Sequence, residues 1–571
     1  MIFASEDRIR SCTEKGWWGT ETLDDLFLNN VAKFPDRTAL VDPDNRLELI
    51  HGKPQRITYR ALNRKVTEAT DLFIKLGVVK DDIVVLQLPN IHEGVVMILA
   101  CSRVGAIASP VLVDFAGHEL EQILGHLAPK LFVTVNRFKN RSLLAEATQI
   151  CQKHKIRTVC VEDLDQSLSE SQLEVAETAI ALHQVSNALN ANDVNTICWT
   201  SGTEGFPKGV MRTHNQWMVT GKGLRDGASI RDGDVILNAR PLVNMAALGG
   251  GFYSWLICGG TFVLHHPLNI TLVLEQIKRE KVTLTFMPPA FIISLLQDPV
   301  MRERADLSSL RTMGSGSASI PGWAIQNMKT EFNIDVVNFF GSNEGISLQS
   351  NAQLVPDPTL RATYFPRLGR SEFSWPSLPV SQQMETKIVD LRTEQEITLP
   401  GFAGELRVKS SGIFDGYYNS NDLTEAAFDQ NGFYRSGDLF EIAGEGELKA
   451  YYKYIGRCRE LIIRGGMNIA PAEIDNLLSD HPLILDVAAF GYPDERLGEK
   501  IGVAIVSKAG GEISLEVIVE YLRKKQVAVF KLPQKVLMLE SMPRNAMMKI
   551  ARYKVAELSI ARDKENEQLN D

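Results

Sequence analysis

Residues 194–209 read VNTICWTSGTEGFPKG, an apolar run that leads into a glycine-rich loop. The run VNTICW has the β-branched and aromatic composition of a buried strand. The loop TSGTEGFPKG (200–209) offers three glycines, three hydroxyl side chains and a lysine, and the next stretch, THNQWMVTGKGL, has helical spacing. Backbone N–H groups of glycine-rich loops converge on phosphate oxygens, and hydroxyl and ammonium groups add donors. The stretch therefore predicts a strand, a phosphate-binding loop and a helix.

The loop departs from the phosphate loop of common nucleotide hydrolases. That loop needs a lysine followed by Ser or Thr, whereas Gly209 follows Lys208 here, so a conventional ATPase or GTPase is not expected. A carboxylate, Glu204, also lies at the centre of the loop, where it would repel an anion. From the loop alone, a glycine-rich surface turn remains an alternative.

Short apolar runs alternate with helical patterns from residue 82 to residue 345. Strands are predicted for DIVVLQLP (82–89), AIASPVL (in the region 107–113), KLFVTV (130–135), IRTVCV (156–161) and the later runs VNTICW, DVILNA, GTFVLH, TLTFMP and DVVNFF. Together with the helical stretches between them, these strands predict an α/β fold with mostly parallel sheets in a large N-terminal domain of several subdomains.

The pattern changes towards the C-terminus. GELRVKS and GELKAYYKYIG predict short antiparallel strands with glycine turns. From Cys458 onward, a small α+β unit is predicted from VAAFGYP, KIGVAIVSK, SLEVIVEYLRKK and KVLMLE. We therefore expect an N-terminal domain over residues 1–457 and a small, mobile C-terminal domain over residues 458–571, which is long enough to fold independently.

Charge and cysteine usage exclude several classes of protein. The 571-residue chain has a formal net charge of −9 and no basic run, so no nucleic-acid partner is expected. Its seven cysteines are scattered without a CxxC pair, which argues against a zinc site and against a disulfide framework. The N-terminus is charged from Glu6 onward and does not resemble a signal peptide. A cytoplasmic protein is therefore expected.

One stretch requires a test for membrane insertion. Residues 241–273 carry no formal charge and are long enough to cross a bilayer. The glycines Gly249–Gly251 and the proline Pro267 interrupt the stretch, however. We expect a buried helix, a turn and a buried strand here, and no membrane span.

Four further motifs follow the loop in the chain. They are NFFGSNEG (338–345), YRSGDL (434–439), YIGRCRELIIRGGMNIAPAEID (454–475) and PRNAMMKIAR (543–552). With the loop, they resemble in order and spacing the signature segments of the adenylate-forming enzymes, a family that includes acyl- and aryl-CoA synthetases, luciferases and the adenylation domains of peptide synthetases. The resemblance covers nearly the whole chain.

The resemblance implies a reaction in two halves. A carboxylic acid attacks the α-phosphate of ATP to give an acyl-adenylate and pyrophosphate, and the thiol of coenzyme A then takes the acyl group. Lys549 resembles the catalytic lysine of the small domain, and Glu344 resembles the Mg²⁺ ligand. Asn244 occupies the acyl-site position where many members of the family have His.

The resemblance also implies the residues that bind ATP and coenzyme A. Asp438 would accept both ribose hydroxyls, Arg457 would pair with the ribose or the phosphate side, and Asn338 would read the adenine amino group. Phe340 would lie beneath the purine, with Tyr454 as a second face. The phosphate loop would contribute Thr200, Ser201, Gly202, Thr203, Gly205 and Lys208, and the purine wall would contribute Gly316, Ser317 and Ala318. The motif around Glu344 would add Gly341 and Asn343. Gly465 and Gly466 would line the path of the pantetheine. Arg459 takes the position of the family's domain pivot.

Several residues depart from the family pattern. Glu204 and Asn343 each replace a Thr, Asn545 replaces another Thr, and Met548 replaces the Gly before Lys549. Met548 adds bulk beside the catalytic lysine. Asn343 keeps an amide that could donate to phosphate.

The acyl region restricts the substrate. No carboxylate occurs between residues 241 and 260, so a free α-amino acid would bury an unpaired ammonium group. Ala246, Ala247 and Gly249–Gly251 are small and would leave room behind the substrate carboxylate, with Trp255 and Phe339 at the edge. A medium-chain, alicyclic or aryl acid is therefore favoured. The alternative is that the small residues only allow helices to pack closely.

Two other functions remain open. The first is an adenylating enzyme that loads the phosphopantetheine of an acyl carrier protein, because GWWG (16–19) faintly resembles a stretch of aryl-acid activators. The second is a catalytically weak nucleotide- or acyl-binding protein, which Glu204 and Met548 would fit. The presence of Lys549 and Glu344 argues against the second.

Overall fold

The structure is a computed structural model that describes residues 1–164, 168–200, 207–316, 320–464, 467–494, 496–508, 510–545 and 549–570. Its strands are β1 (Thr38–Val41), β2 (Arg56–Thr58), β3 (Ile83–Gln87), β4 (Ile107–Pro110), β5 (Leu131–Thr134), β6 (Arg157–Cys160), β7 (Val194–Thr200), β8 (Lys208–Thr213), β9 (Val235–Asn238), β10 (Thr261–Leu264), β11 (Leu284–Phe286), β12 (Thr312–Gly316), β13 (Asp335–Gly341), β14 (Ser347–Ser350), β15 (Tyr364–Pro366), β16 (Met384–Val389), β17 (Ala403–Ser410), β18 (Tyr434–Ile442), β19 (Tyr451–Arg457), β20 (Ile462–Arg464), β21 (Met467–Ile469), β22 (Ile484–Asp494), β23 (Gly498–Ser507) and β24 (Lys535–Met538). Its α-helices are α1 (Glu6–Glu14), α2 (Leu23–Lys33), α3 (Arg46–Leu49), α4 (Tyr59–Lys75), α5 (His92–Val104), α6 (Gly117–Leu127), α7 (Leu143–His154), α8 (Glu170–Ser186), α9 (His214–Gly227), α10 (Met245–Ala247), α11 (Ser254–Cys258), α12 (Ile270–Glu280), α13 (Pro289–Gln297), α14 (Pro299–Arg304), α15 (Gly322–Phe332), α16 (Pro358–Arg361), α17 (Asn421–Ala427), α18 (Pro471–Ser479), α19 (Leu515–Lys524) and α20 (Arg552–Asn570).

Two mostly parallel sheets form the N-terminal body. Within the described residues, one sheet has the strand order β6-β5-β3-β4-β7-β8, and the other has the order β14-β13-β12-β11-β9-β10-β1-β2. Only the edge strands β8, β14 and β2 pair in the antiparallel sense. The largest apolar core contains side chains from both sheets and from helices α2, α4, α5 and α9. The predicted βα alternation is therefore confirmed.

The segment after the phosphate loop differs from the prediction. The sequence predicted no strand between the loop and the helix, but residues 208–213 form strand β8, which returns antiparallel to β7 with Cys198 opposite Val210. Val210 is fully buried and Met211 nearly so, because both join apolar cores. Helix α9 begins at His214, within the predicted stretch THNQWMVTGKGL, and the Thr213 hydroxyl caps it by accepting from the Gln216 N–H. β7 and β8 thus pair as neighbouring antiparallel strands, and α9 follows β8.

The C-terminal part contains two further sheets. An antiparallel sheet has the order β15-β19-β18-β17-β16, and the last sheet contains β20 to β24. Helices α18 and α19 contribute to the core of the last sheet. Its elements agree with the predicted small α+β domain, and the predicted fold class is confirmed. The boundary between residues 457 and 458 stays a prediction.

The uncharged stretch from residue 241 to residue 273 lies in the N-terminal body and is mostly buried up to residue 266. It forms α10, a π-helical turn over Leu248–Tyr253, then α11 and β10, as the glycines and the proline indicated. No helix in the described parts of the chain is long and apolar enough to cross a membrane.

Candidate active site

Glu344 lies in the turn after β13 and is nearly buried, with 7% of its surface exposed. The Tyr417 hydroxyl donates to its Oε1 at 3.0 Å. Its main-chain carbonyl accepts from the Phe414 N–H at 2.8 Å. The segment over residues 414–417 therefore fixes both the backbone and the carboxylate of Glu344.

Asp438 and Arg457 lie opposite each other on the neighbouring strands β18 and β19. The Arg457 Nε atom is 3.6 Å from Asp438 Oδ1. Burial raises the pKa of Asp438 to about 6, although Arg457 and then Lys549 act to lower it. Asp438 is therefore a buried carboxylate that is ionised at neutral pH at a cost to folding.

Lys549 forms two hydrogen bonds with Asn545. The Asn545 Oδ1 accepts from the Lys549 N–H at 3.0 Å, and the Asn545 N–H donates to the Lys549 carbonyl at 2.8 Å. Burial, and after it the neighbouring Arg457, holds the pKa of Lys549 below its usual value, although Asp438 and Glu344 act to raise it. The lysine predicted to be catalytic thus lies within electrostatic reach of both predicted carboxylates.

The predicted purine site is built around Asn338 and Phe340 on β13. Asn338 is buried, and its Nδ2 donates to the carbonyls of Arg361 and Ala362 at 3.2 and 2.7 Å. These bonds orient the amide so that its oxygen remains the acceptor for a donor on the other side. The Asn338 geometry fits recognition of an amino group.

Tyr454 does not face Phe340 across a purine-wide gap. Their ring centroids are 5.6 Å apart, a direct contact, and the Phe440 ring packs edge-on against Phe340 at 5.0 Å. In this arrangement Phe340, Phe440 and Tyr454 form one aromatic wall. The predicted second face of the purine is not provided by Tyr454 in this structure.

The strands that flank the phosphate loop bring Thr200 opposite Lys208. The Lys208 ammonium lies 5.3 Å from the centroid of the Tyr417 ring, and Tyr417 in turn binds Glu344. Asn343 uses its amide nitrogen on the Trp199 carbonyl at 3.2 Å. The amide that was expected to donate to phosphate therefore donates to the protein here.

Asn244 and the small residues after it have structural partners. The Asn244 Oδ1 caps α10 by accepting from the Ala247 N–H at 3.2 Å. A Cβ atom at Gly250 would lie 3.3 Å from the Phe286 ring, and one at Gly251 would lie 3.2 Å from the Phe262 ring. The glycines therefore allow close packing, the alternative that the sequence left open, and do not leave empty room.

Trp255 also lies in the core and not at a pocket edge. It is fully buried, stacks on Phe262 with ring centroids 5.3 Å apart, and donates from Nε1 to the Gly260 carbonyl. Phe339 is half-buried and contacts Phe286 at a centroid distance of 5.5 Å. The prediction that Trp255 bounds the acyl site is wrong.

The remaining predicted residues are only partly described. Gly316 ends β12, where a Cβ atom would approach the Phe339 carbonyl to 2.5 Å, so only glycine fits. Gly341 ends β13 beside Met245. The following predicted residues lie outside the described residues: Ser201, Gly202, Thr203, Glu204, Gly205, Ser317, Ala318, Gly465, Gly466 and Met548.

Comparison with known proteins identifies the family. The profile of the AMP-binding enzyme family matches residues 27–418, and the profile of the AMP-binding enzyme C-terminal domain matches residues 473–549. The chain belongs to the AMP-binding enzyme family. The resemblance read from the motifs is therefore confirmed.

Relatives of this AMP-binding enzyme span nearly its whole length. The medium-chain fatty-acid–CoA ligase of Escherichia coli K12 is 28% identical over 557 residues, which cover 96% of this chain and 92% of the ligase. The oxalate–CoA ligase of Arabidopsis thaliana is 28% identical over 541 residues, covering 94% and 98%. The ATP-bound MatB structure from Rhodopseudomonas palustris has a TM-score of 0.77 at 24% identity, with 94% and 98% covered, and shows the same fold.

Two residues that contact the site in this AMP-binding enzyme were not predicted from the sequence. Tyr417 binds Glu344, and Arg212 on β8 binds the carbonyl of Asn343 at 2.9 Å. Burial lowers the pKa of Arg212 to about 10, which leaves it protonated at neutral pH. A charged side chain inside the apolar strand GVMRT was the one sequence signal for Arg212.

Proposed function

We propose that the protein activates a carboxylic acid with ATP and transfers the acyl group to the thiol of coenzyme A, releasing AMP and pyrophosphate. The observation that carries this proposal is the convergence of Lys549 on Asp438, Arg457 and Glu344. These residues come from distant parts of the chain. Asp438, Arg457 and Glu344 lie before the predicted domain boundary, and Lys549 lies after it. A nucleotide-binding module without chemistry would not need a half-buried lysine among them.

The first half-reaction brings two anions together. A carboxylate oxygen attacks the α-phosphorus, a bond forms between them, and the bond from that phosphorus to the bridging oxygen of pyrophosphate breaks. Each pair of unit charges at about 4 Å and an effective dielectric constant near 20 costs about 4 kcal/mol. Lys549 offsets this cost where the charge develops. Its neighbours Asp438 and Glu344 favour the protonated ammonium form that this role requires.

Glu344 fits a magnesium site. Its Oε1 accepts from the Tyr417 hydroxyl. The carboxylate is nearly buried, and its second oxygen can only act as an acceptor or a metal ligand. Mg²⁺ binds through few carboxylates, several waters and substrate phosphates. When bound, the ion would neutralise phosphate charge, and the protein's part would be to keep Glu344 in place.

Other residues support binding of the nucleotide and of coenzyme A. We assign Asp438 to the ribose hydroxyls, Asn338 to the adenine amino group, Phe340 to one face of the purine, and Thr200 with Lys208 to the phosphates. In the second half-reaction the thiol sulfur attacks the acyl carbon, AMP leaves, and the thiol proton passes to solvent. Gly465 and Gly466 would border the pantetheine, after rotation about Arg459.

The segment over residues 241–260 limits which classes of carboxylic acid the site can accept. No carboxylate lies there to pair with an α-ammonium group, so we exclude free α-amino acids. Phe286 and Phe262 fill the space next to the glycines Gly250 and Gly251. We therefore favour a compact carboxylic acid of medium chain length or with an alicyclic or aryl group.

Pyrophosphate exchange tests the first half-reaction. Wild-type protein is incubated with ATP, labelled pyrophosphate, Mg²⁺ and a panel of medium-chain, alicyclic and aryl acids, with amino acids as the control group. Exchange that depends on a carboxylic acid supports the proposal. No exchange with any acid would refute it and favour a binding protein.

Product analysis then identifies the thiol acceptor. The best acid is offered with free coenzyme A or with a phosphopantetheinylated carrier protein, and thioesters are measured by mass spectrometry. We expect acyl-CoA. A thioester on the carrier protein alone would establish the alternative acceptor. The GWWG stretch that raised this alternative has a structural role, because Trp18 is buried and donates from Nε1 to the Ser411 carbonyl.

A further inference from the structure

Arg212 is an arginine whose side chain is fully buried in the N-terminal body. Its Nη2 donates to the Gln216 carbonyl at 3.1 Å and to the Thr220 hydroxyl at 2.8 Å, and its guanidinium stacks 4.4 Å from the centroid of the Trp217 ring. Within the described residues, no carboxylate oxygen lies close enough to form an ion pair with it. A buried cation without an ion-pair partner is costly, so its presence needs a reason other than stability.

The other end of the guanidinium points at the loop that carries Glu344. Nη1 donates to the Asn343 carbonyl at 2.9 Å, and Glu344 is the carboxylate whose charge attracts Arg212. A hydrogen bond from a charged donor to a backbone carbonyl is stronger than one between neutral groups. Arg212 therefore fixes the peptide unit directly before Glu344.

Asn343 connects the same loop to two further segments. Its Nδ2 donates to the Trp199 carbonyl at 3.2 Å, and its Oδ1 accepts from the Met245 N–H at 2.8 Å. Trp199 and Arg212 lie on β7 and β8, the strands on either side of the phosphate loop, whereas Met245 begins α10 in the acyl region. One residue thus joins the phosphate loop, the acyl region and Glu344.

We infer that Arg212 is a positioning residue for this AMP-binding enzyme, which holds Asn343 and thereby keeps Glu344 where Mg²⁺ and ATP bind together. The inference rests on the proposed function. Asn343 links Arg212 to Glu344, and the Asn343 side-chain amide bonds to Trp199 and Met245 of the protein. A lysine at position 212 could not replace the arginine fully, because a single ammonium group cannot span Asn343 and Thr220 from two separate nitrogens.

The test uses the full-length protein with the substitutions Arg212→Met and Asn343→Thr. Arg103→Met is the matched control, since Arg103 is also buried but pairs with Asp24 on α2, outside the candidate site. The first readout needs no carboxylic acid. It measures how far ATP raises the thermal unfolding midpoint as the Mg²⁺ concentration is increased. The second compares pyrophosphate exchange with thioester formation from supplied acyl-adenylate.

We expect Arg212→Met to raise the Mg²⁺ concentration for half-maximal effect about tenfold in the thermal-midpoint titration, the size of one lost charge-assisted hydrogen bond. Thioester formation from supplied acyl-adenylate should stay within about threefold of wild type, since pyrophosphate has already left. Asn343→Thr should shift the Mg²⁺ titration in the same direction by a smaller factor. Arg103→Met should lower the midpoint of the free protein and leave the Mg²⁺ dependence unchanged.

An unchanged Mg²⁺ dependence in Arg212→Met would overturn the inference, as would an equal loss in both half-reactions. If Arg212→Met does not fold, Arg212→Lys decides in the same way, because it keeps the buried charge but cannot bind both Asn343 and Thr220. If wild-type protein itself shows no stabilisation by ATP with Mg²⁺, the proposed function fails at its first step, and the inference fails with it.

Discussion

Replacing Asp438 with Asn should make the free protein more stable and abolish its use of ATP. Asp438 is 8% exposed, and burial raises its pKa from 3.8 to about 6. That rise corresponds to about 3 kcal/mol of folding free energy at neutral pH. The variant Asp438→Asn keeps the shape of the side chain but removes the buried charge and the acceptor pair for the ribose hydroxyls.

The sign of the pH dependence follows from the raised pKa. Between pH 3.8 and about 6 the folded protein holds this proton and the unfolded chain does not, so stability falls as pH rises through this window and is then constant. The unfolding midpoint in urea should therefore be higher for Asp438→Asn than for wild type at pH 7.5, and the difference should vanish near pH 4. With ATP and Mg²⁺ present, only wild type should gain stability.

Two results would contradict a folding cost from the buried Asp438 charge. One is a variant that is less stable than wild type at pH 7.5 without ATP, which would mean that the pairing with Arg457 outweighs burial of the charge. The other is a stability difference that does not change with pH. Arg279→Met, which disrupts an exposed ion pair with Asp44, serves as the control for general effects of pH on the fold.

Two further substitutions test the acyl region and the phosphate loop. Phe286→Ala should lower the free energy of unfolding by about 3–5 kcal/mol, measured by thermal unfolding. It should also allow longer or bulkier acids in the exchange assay, because Phe286 fills the space beside Gly250 and Gly314. An unchanged acid preference would place the acyl group elsewhere. Glu204→Thr should preserve exchange activity or lower the ATP concentration needed for half-maximal rate, since it removes a carboxylate from the phosphate loop; a large loss of activity would give Glu204 a role that the family pattern does not supply.

The sequence predicted most of the strands of the two parallel sheets, because buried parallel strands are continuous apolar runs. Strand β8 was missed because its pairing with β7 follows a loop rich in Gly and Pro, and because Arg212 interrupts its apolar pattern. A polar residue inside a strand is usually a sign against burial. Here the arginine is buried because Asn343 and Thr220 bind it from other parts of the chain.

The sequence predicted which residues form the site but not the contacts among them. The motifs named Lys549, Asp438, Arg457 and Glu344, and the structure brings these residues within electrostatic reach. The contact from Tyr417 depends on how two distant segments pack, which no local pattern records. Small residues such as Gly250 do not tell whether the space beside them is empty, and in this protein Phe286 occupies it.

We assign Lys549 to adenylate formation and not to thioester formation. Lys549→Ala should reduce acid-dependent pyrophosphate exchange by about 10²–10³, the range for loss of one group that stabilises developing charge. Thioester formation from supplied acyl-adenylate and coenzyme A, measured on the same preparation, should stay within about threefold of wild type. An equal loss in both half-reactions would contradict the role assigned to Lys549.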